Sequence, residues 1–285
     1  MTNSKYFPKG QVKRILVPTD FSPGAKLALD RAITVARLYD ASIYFLHVIT
    51  PFTLTGLAGT TASALGQIYS EGEAAIEDLV CYARSQSVSC AGMVREGALD
   101  DQVRSAISEL GIDLLVLATK AGRGLSGYAL GSTAERILRK TLIPVITVGI
   151  CRPLRGWPDG GPSHILYATD LSQISFRSLA YARSVQQRFS AKLTVAHVLP
   201  LGAKRETVQN ALTQLQRLTN GDAETQVLLG AVGPAICNAS TRSGVDLVAV
   251  GVEKHSVLSE YFLGHNLVEI MGGAPCPVLT IRQWK

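Results

Sequence analysis

Short apolar runs alternate along the first half of the chain with longer segments whose apolar residues recur at helical spacing. The short runs predict strands over 14–19, 42–48, 91–95, 114–119 and 145–149. The longer segments predict helices over 23–38, 71–85, 99–110 and 132–140, and Ser22-Pro23 is a typical start for the first. Strands separated by helices indicate right-handed crossovers and a parallel sheet covered on both faces.

The same pattern occurs twice. Thr19-Asp20, after the first strand, recurs 150 residues later as Thr169-Asp170, and His47-Val48 recurs at that offset as His197-Val198. Later landmarks recur at an offset of 133 residues, Asp113-Leu114 as Asp246-Leu247 and Pro144-Val145 as Pro277-Val278. The difference arises after the second strand, where the first copy carries the Gly-, Thr- and Ala-rich segment 51–66. A repeat of this length indicates two copies of one domain.

The repeat predicts an α/β protein of two tandem doubly wound domains, each a five-stranded parallel sheet with helices on both faces. We predict domains over residues 1–150 and 164–285, joined by a linker over 151–163 that is rich in proline and glycine. Ligands of such sheets bind beyond the carboxyl ends of the strands, where the strand order reverses. Residues that directly follow strands are therefore candidate site residues.

Composition and charge narrow the class of protein. Apolar residues make up 47% of the chain and charged residues 18%, which is typical of a globular protein. No apolar run is long enough to cross a membrane, and the first 14 residues lack a signal-peptide pattern, so we expect a cytoplasmic protein without membrane contact. The net charge of +6 comes from scattered Lys and Arg, which favours anionic small molecules over nucleic acid as partners.

Cysteine and histidine give no sign of a metal site. The five cysteines are scattered without a C-x-x-C spacing, which indicates reduced thiols rather than a disulfide framework or a zinc site. His47 and His197 lie at strand ends with no second ligand at zinc-like spacing, so we interpret them as core or edge residues. The sequence therefore predicts no bound metal of its own.

Residues 122–127 read G-R-G-L-S-G, the spacing of a dinucleotide-binding loop. In a Rossmann domain that loop follows the first strand and opens the next helix. Here it follows the fourth predicted strand, the next helix is predicted to begin only at Ser132, and the second copy lacks the glycines. The sequence thus argues against a nicotinamide or flavin enzyme.

The segment instead resembles the signature of the universal stress protein family. That signature is a strand, a Gly-x-x-Gly loop, nine residues, Gly-Ser or Gly-Thr, a helix and a strand that begins with Pro-Val. Both copies also carry the Thr-Asp, His-Val and Asp-Leu landmarks in order, so the chain is identified as a tandem member. The resemblance implies ATP or another adenine nucleotide, with Mg²⁺, as the candidate cofactor. It implies binding residues at Pro18, Thr19, Asp20, Val48, Ala118, Gly131, Ser132 and Thr133, and at Asp170, Val198, Gly251 and Gly264 of the second copy.

The resemblance also implies a role for each part of the site. The aspartate contacts the adenosine, Val48 lies by the base, and the glycine loop and helix start hold the ribose and phosphates. Glycines allow close approach of the backbone, and a helix N-terminus attracts anions.

Both copies depart from the family signature. The loop glycines fall on Ala118 and Ala121 in the first copy, and their methyl groups are expected to push a phosphate away. The second copy keeps Gly251 but has Lys254, and Gly264-His265 lacks the hydroxyl.

Each candidate residue also has a simpler structural interpretation. Residues 132–135 read S-T-A-E, which predicts a capping box with or without a phosphate contact. Asp20 and Asp170 either begin turns or also contact a ligand. The basic side chains of Lys120, Arg123 and Lys254 are either solvated or pair with phosphate.

These features predict a stress-response regulatory or binding module with degenerate nucleotide sites and no catalytic residues. The alternatives are an ATP-binding protein with slow hydrolysis or autophosphorylation, and an apolar-ligand or partner site in segment 51–66. The resemblance implies an intramolecular pseudo-dimer that pairs the last strands, 145–149 and 278–282. A further homodimer is left open.

Overall fold

The computed structural model describes residues 12–50, 62–119, 122–124, 127–149, 157, 160–253 and 264–283. The first copy contains β1 (Arg14–Pro18), α1 (Pro23–Tyr39), β2 (Ser42–Ile49), α2 (Ala62–Ser85), β3 (Cys90–Glu96), α3 (Leu99–Leu110), β4 (Leu114–Thr119), β5 (Gly122–Gly124), β6 (Gly127–Ala129), α4 (Ser132–Lys140) and β7 (Val145–Gly149). The second copy contains β8 (His164–Thr169), α5 (Gln173–Phe189), β9 (Lys192–Leu199), α6 (Arg205–Thr219), β10 (Glu224–Leu229), α7 (Val232–Arg242), β11 (Leu247–Glu253), α8 (His265–Gly273) and β12 (Val278–Gln283).

Ten strands form one continuous sheet, in the order β10-β9-β8-β11-β12-β7-β4-β1-β2-β3. All neighbours within a copy run parallel, and the order reverses between β1 and β4 and between β8 and β11. The predicted doubly wound α/β fold is therefore confirmed. The last strands of the copies, β7 and β12, pair antiparallel with Ile146 opposite Leu279, as the resemblance implied.

Each face of the sheet carries one hydrophobic core that runs through both copies. Helices α1, α2, α5 and α6 cover one face, where side chains such as Ile15, Phe45 and Tyr167 are fully buried. Helices α3, α4, α7 and α8 cover the other, around Leu115, Leu138 and their neighbours. Burial of apolar surface therefore joins the two copies on both faces.

The repeated Asp-Leu landmark holds the start of each first strand. Asp113 Oδ2 accepts hydrogen bonds from the backbone N–H groups of Lys13 and Arg14, both at 2.9 Å. Asp246 does the same for Ser163 and His164, at 3.0 and 3.1 Å. These aspartates lie at the amino ends of strands, away from the edge where ligands bind, so their recurrence has a structural cause.

Two parts of the first copy differ from the sequence prediction. Helix α2 begins at Ala62 rather than near residue 71, so the end of segment 51–66 is helical and residues 51–61 lie outside the described residues. The G-R-G-L-S-G segment contributes to a short antiparallel ribbon, with Gly122 opposite Ala129 and Gly124 opposite Gly127. The glycines therefore do not open a helix, unlike those of a dinucleotide-binding loop.

Candidate functional site

A crevice opens in the first copy between strands β1 and β4. They pair only at Ile15–Leu114 and Leu16–Leu115, whereas β1 pairs with β2 along all five of its residues. The carboxyl halves of β1 and β4 therefore diverge at the point where the strand order reverses. This is the position at which parallel α/β sheets bind ligands.

The turn after β1 places Asp20 at the mouth of this crevice. The Thr19 N–H donates to the carbonyl of Leu46 at 2.9 Å, and Thr19 Oγ1 accepts a hydrogen bond from Phe21 N–H at 3.0 Å. Asp20 Oδ1 accepts from Ser22 N–H at 3.0 Å, while the Asp20 side chain remains exposed. Asp20 therefore shapes the turn and still reaches solvent at the edge of the sheet.

His47 and Phe21 close one side of the same turn. His47 Nδ1 lies 3.0 Å from the Thr19 carbonyl, and the His47 ring centroid lies 4.6 Å from that of Phe21. In the second copy His197 Nδ1 lies 2.8 Å from the Thr169 carbonyl. In each copy the histidine Nδ1 therefore lies within hydrogen-bond distance of a backbone carbonyl, as expected for a residue at the edge of a strand.

In the second copy, a serine side chain also binds the aspartate. Asp170 Oδ1 accepts from Ser172 N–H at 2.9 Å and from Ser175 Oγ at 2.5 Å, whereas Ala25 stands at the equivalent position of the first copy. Burial raises the pKa of Asp170, but the hydrogen bonds from Ser175 and Ser172 outweigh it, and the pKa lies below its usual value. The Asp170 carboxylate is thereby held within its own turn.

At the end of β4, Ala118 has a packing role. The residue is half-buried and packs against the core on the α1 face, the cluster that contains Val17 and Val148. Its methyl group therefore contributes to the core. The next residue, Thr119, is fully buried, and its hydroxyl has no hydrogen-bond partner among the described residues.

Gly251 of the second copy, the counterpart of Ala118, is required by packing. A Cβ there would lie 2.7 Å from the Cβ of Ser178 and 2.9 Å from the Tyr167 hydroxyl. The first copy has Ala28 and Val17 at these two positions, which leave room for the methyl group of Ala118. Packing in the core is therefore enough to explain why glycine stands at position 251.

Helix α4 begins one residue earlier than a capping box requires, so that prediction is wrong. Gly131 is the N-cap, and no side chain caps this end. Glu135 instead pairs with Arg139 one turn later. Ser132 and Thr133 are exposed, and neither hydroxyl has a partner among the described residues. Because Glu135 N–H makes the first helical bond, to Gly131, the N–H groups of residues 132–134 point out of the helix end.

The equivalent helix of the second copy lacks a hydroxyl at its first position. Gly264 is its N-cap, with open space around the position of a Cβ, and the next residue is His265. His265 Nε2 lies 3.3 Å from the carboxylate of Glu269, and α4 likewise has an acidic residue, Glu135, near its start. Helix α8 has no basic residue in its last turn, whereas α4 ends in Arg139-Lys140.

The remaining predicted site residues either lie along the same edge of the sheet or fall outside the described residues. Pro18 ends β1, and Val48 and Val198 lie near the carboxyl ends of β2 and β9, where Val48 is buried and Val198 partly buried. Lys120, Ala121 and Lys254 lie outside the described residues, as does the side chain of Arg123. The structure thus brings Asp20, the end of β4 and the start of α4 to one edge of the first copy.

The described part of the chain contains neither a cluster of metal ligands nor a membrane-spanning helix. No group of three or more His, Cys, Asp or Glu side chains in it could hold a metal ion. None of its helices is both long and apolar enough to cross a bilayer.

Comparisons with known proteins agree with the repeat. The model of the universal stress protein family matches residues 11–149 and again 162–282. A universal stress protein of Methanocaldococcus jannaschii is 28% identical over 138 residues, which cover 48% of this chain and 81% of that protein.

Two solved structures are similar over almost the whole chain. A universal stress protein of Archaeoglobus fulgidus has a TM-score of 0.75 and 17% identity, covering 96% of this chain and 97% of its own. A protein of Pseudomonas aeruginosa described as a putative universal stress protein has a TM-score of 0.68 and 18% identity, covering 95% and 93%. At these identities the likeness supports the fold alone. Because the family model matches both copies, the chain belongs to the universal stress protein family.

Proposed function

We propose that the chain is a regulatory binding module of the stress response that takes up an adenine nucleotide, with Mg²⁺, in its first copy. The observation that carries this proposal is the start of α4. There, unpaired N–H groups and two exposed hydroxyls stand at the crevice where β1 and β4 diverge. A helix start of this kind attracts phosphate through its N–H groups and its dipole.

The parts of the crevice suit the parts of a nucleotide. The exposed carboxylate of Asp20 suits the hydroxyl groups of a ribose, because a carboxylate only accepts hydrogen bonds and a ribose donates them. The N–H groups of residues 132–134 suit phosphate oxygens, and the hydroxyls of Ser132 and Thr133 add donors beside them. Mg²⁺ would arrive with the phosphates, since it usually binds proteins through few carboxylates and many phosphate or water oxygens.

The first copy is the better candidate because two features of the second copy oppose binding. Ser175 occupies the carboxylate of Asp170. The position of Ser132 is taken by His265, which lacks a hydroxyl. The two sites are therefore expected to differ in affinity.

Isothermal titration calorimetry of the full chain with ATP and Mg²⁺ tests the proposal. We expect submillimolar binding with about one nucleotide per chain, lost in the Asp20→Ala variant and kept in the matched Asp170→Ala variant. Absence of heat at millimolar ATP would refute the nucleotide site. Loss of binding in Asp170→Ala alone would place the site in the second copy instead.

The same samples also test the enzymatic alternative. Release of inorganic phosphate and transfer of labelled phosphate to the protein are measured over hours with bound ATP. A regulatory module is expected to return the nucleotide intact. Turnover that disappears together with binding in Asp20→Ala would instead favour slow hydrolysis or autophosphorylation.

A further inference from the structure

Helix α4, which carries the proposed phosphate site of the first copy, is held at its other end by the second copy. Arg282 lies on β12, and its Nη1 donates a 3.0 Å hydrogen bond to the backbone carbonyl of Arg139 in the last turn of α4. The two residues are 143 positions apart in the chain. The contact therefore crosses the boundary between the copies.

The Arg282 guanidinium is an unusual group for this position. Its side chain is partly buried, its Nε is fully buried without a partner among the described residues, and no described carboxylate pairs with it. Burial, and secondarily the charge of Arg139, lower the pKa of Arg282 to about 10, so it remains cationic at neutral pH. A buried cation is unfavourable unless it is compensated. The carbonyls and negative dipole end of α4 are what compensates it here.

The repeat offers no counterpart to this contact. The position equivalent to Arg282 is Gly149, at the offset of 133 residues. A Cβ at Gly149 would lie 3.5 Å from the Met271 carbonyl of α8, so the first copy presents only backbone to the end of that helix. Among the described residues, α4 therefore has an arginine of the other copy at its end, and its counterpart α8 has none.

Helix α4 can transmit a shift from one end to the other. It has nine residues, which makes it roughly 13 Å long. At its C-terminal end Lys140 Nζ also lies 2.6 Å from Asp100 Oδ2, so the helix is fixed between α3 and β12. A rigid rod fixed at one end sets the direction of the N–H groups at the other. Misplacement of binding groups by about 1 Å is enough to weaken an interaction strongly.

We propose that Arg282 is a positioning residue through which the second copy aligns the phosphate-binding helix of the first. This inference rests on the proposed nucleotide site and adds its regulation: the second copy completes the phosphate part of the site without touching the ligand. The adenosine part, which depends on Asp20 and β1, lies outside the reach of this contact.

The test compares ATP with adenosine in Arg282→Met. We expect ATP to bind about five- to thirty-fold more weakly, the range of a favourable helix-terminus charge, and adenosine to bind as in the unchanged protein. Arg282→Lys should keep most of the ATP affinity. The matched control is Arg183→Met, because Arg183 donates at 2.8 Å to the Thr219 carbonyl at the end of α6, a helix outside the site. It should change neither affinity.

Equal losses for ATP and adenosine, or no loss for either, would overturn the proposal. Hydrogen exchange of α4 without nucleotide gives a second measurement, with faster exchange confined to α4 expected in Arg282→Met. Unchanged exchange there would also count against it. If the unchanged protein binds no ATP, the proposed function and the ligand role fail together, while the exchange result still decides whether Arg282 holds α4.

Discussion

At the scale of single residues, the clearest feature is that equivalent positions vary together between the copies. Tyr167 and Ser178 leave no space for a side chain at Gly251. Val17 and Ala28 leave space for Ala118. What looks like loss of a functional glycine in the first copy is therefore also a change of packing. A family signature alone does not separate loss of function from a change of packing. The loop residue and its two packing partners lie on different elements, far apart in the sequence.

Substitution of Gly251 by alanine tests this account. The new methyl group would clash with Ser178 on α5, and we expect the free energy of unfolding to fall by about 1–3 kcal/mol in urea denaturation. In a background that carries Tyr167→Val and Ser178→Ala, as in the first copy, the same substitution should cost less than about 0.5 kcal/mol. An equal cost in both backgrounds would mean that the clash is not the reason for the glycine.

At the scale of elements, the helices of this protein start in two ways, with or without a capping side chain. Ser22 Oγ accepts from Ala25 N–H at 3.3 Å and Ser172 Oγ accepts from Ser175 N–H at 3.2 Å, so α1 and α5 are capped by side chains. Helix α4 starts at Gly131 without such a bond. Helices α3, α6, α7 and α8 also lack this bond, and α4 differs from them in having two exposed hydroxyls, those of Ser132 and Thr133, in its first turn.

This difference predicts opposite effects for two serine substitutions. Ser22→Ala should lower the free energy of unfolding by about 1 kcal/mol, the usual cost of a lost N-cap. Ser132→Ala should leave it nearly unchanged but weaken ATP binding in calorimetry. A stability loss of similar size in Ser132→Ala would show that its hydroxyl caps the helix after all.

The contact between α3 and α4 predicts a pH dependence. The hydrogen bond from Lys140, and to a lesser degree the charge of Arg136, hold the pKa of buried Asp100 below its usual value despite burial. A carboxyl whose pKa falls on folding stabilises the protein fully above its unfolded pKa, near 3.9, and this stabilisation is lost as the pH falls through the folded pKa. Between about pH 5 and pH 2, the melting temperature should therefore fall less in the Asp100→Asn and Lys140→Met variants than in the unchanged protein.

Asp30 serves as a control because its pKa is shifted in the direction opposite to that of Asp100. Burial raises its pKa despite the nearby charges of Arg31 and Lys26. Its ionised form therefore opposes folding once the pH rises above the unfolded value. Asp30→Asn should raise stability at pH 7 relative to pH 3. Identical profiles for the Asp30 and Asp100 variants would contradict both assignments.

At the scale of the whole molecule, hydrophobic periodicity was enough to predict most elements and the doubly wound class. It failed where periodicity is absent: the three-residue strands of the ribbon have no alternation to detect, and the Ala- and Ser-rich start of α2 resembles a loop. The predicted capping box was wrong because the N-cap is Gly131 and not Ser132. A shift by one residue changes which side chains can reach the free N–H groups of the first turn. The Arg282 contact could not be predicted, since the repeat has glycine at that position and only the folded sheet brings β12 beside α4.

Pairing of β7 with β12 joins the two copies in one sheet. Trp157, in the predicted linker, reports on this junction: its ring is buried, packs 6.2 Å from that of Phe189, and its Nε1 donates to the Asp246 carbonyl at 2.8 Å. Arg31 of the first copy lies 5.3 Å from the same ring. Both cores also continue across the junction. Unfolding one copy would therefore expose the buried surface of the other.

We accordingly expect one unfolding transition for the full chain. In a Trp284→Phe variant, Trp157 is the sole tryptophan, so its fluorescence follows the junction while far-ultraviolet circular dichroism follows all helices. The two signals should give the same urea midpoint, because a cooperative unit loses all its structure together. Phe189→Ala should lower both midpoints equally, since it removes core packing that both copies share. A fluorescence transition at lower urea than the helical signal would instead mean that the copies separate first and unfold as independent domains.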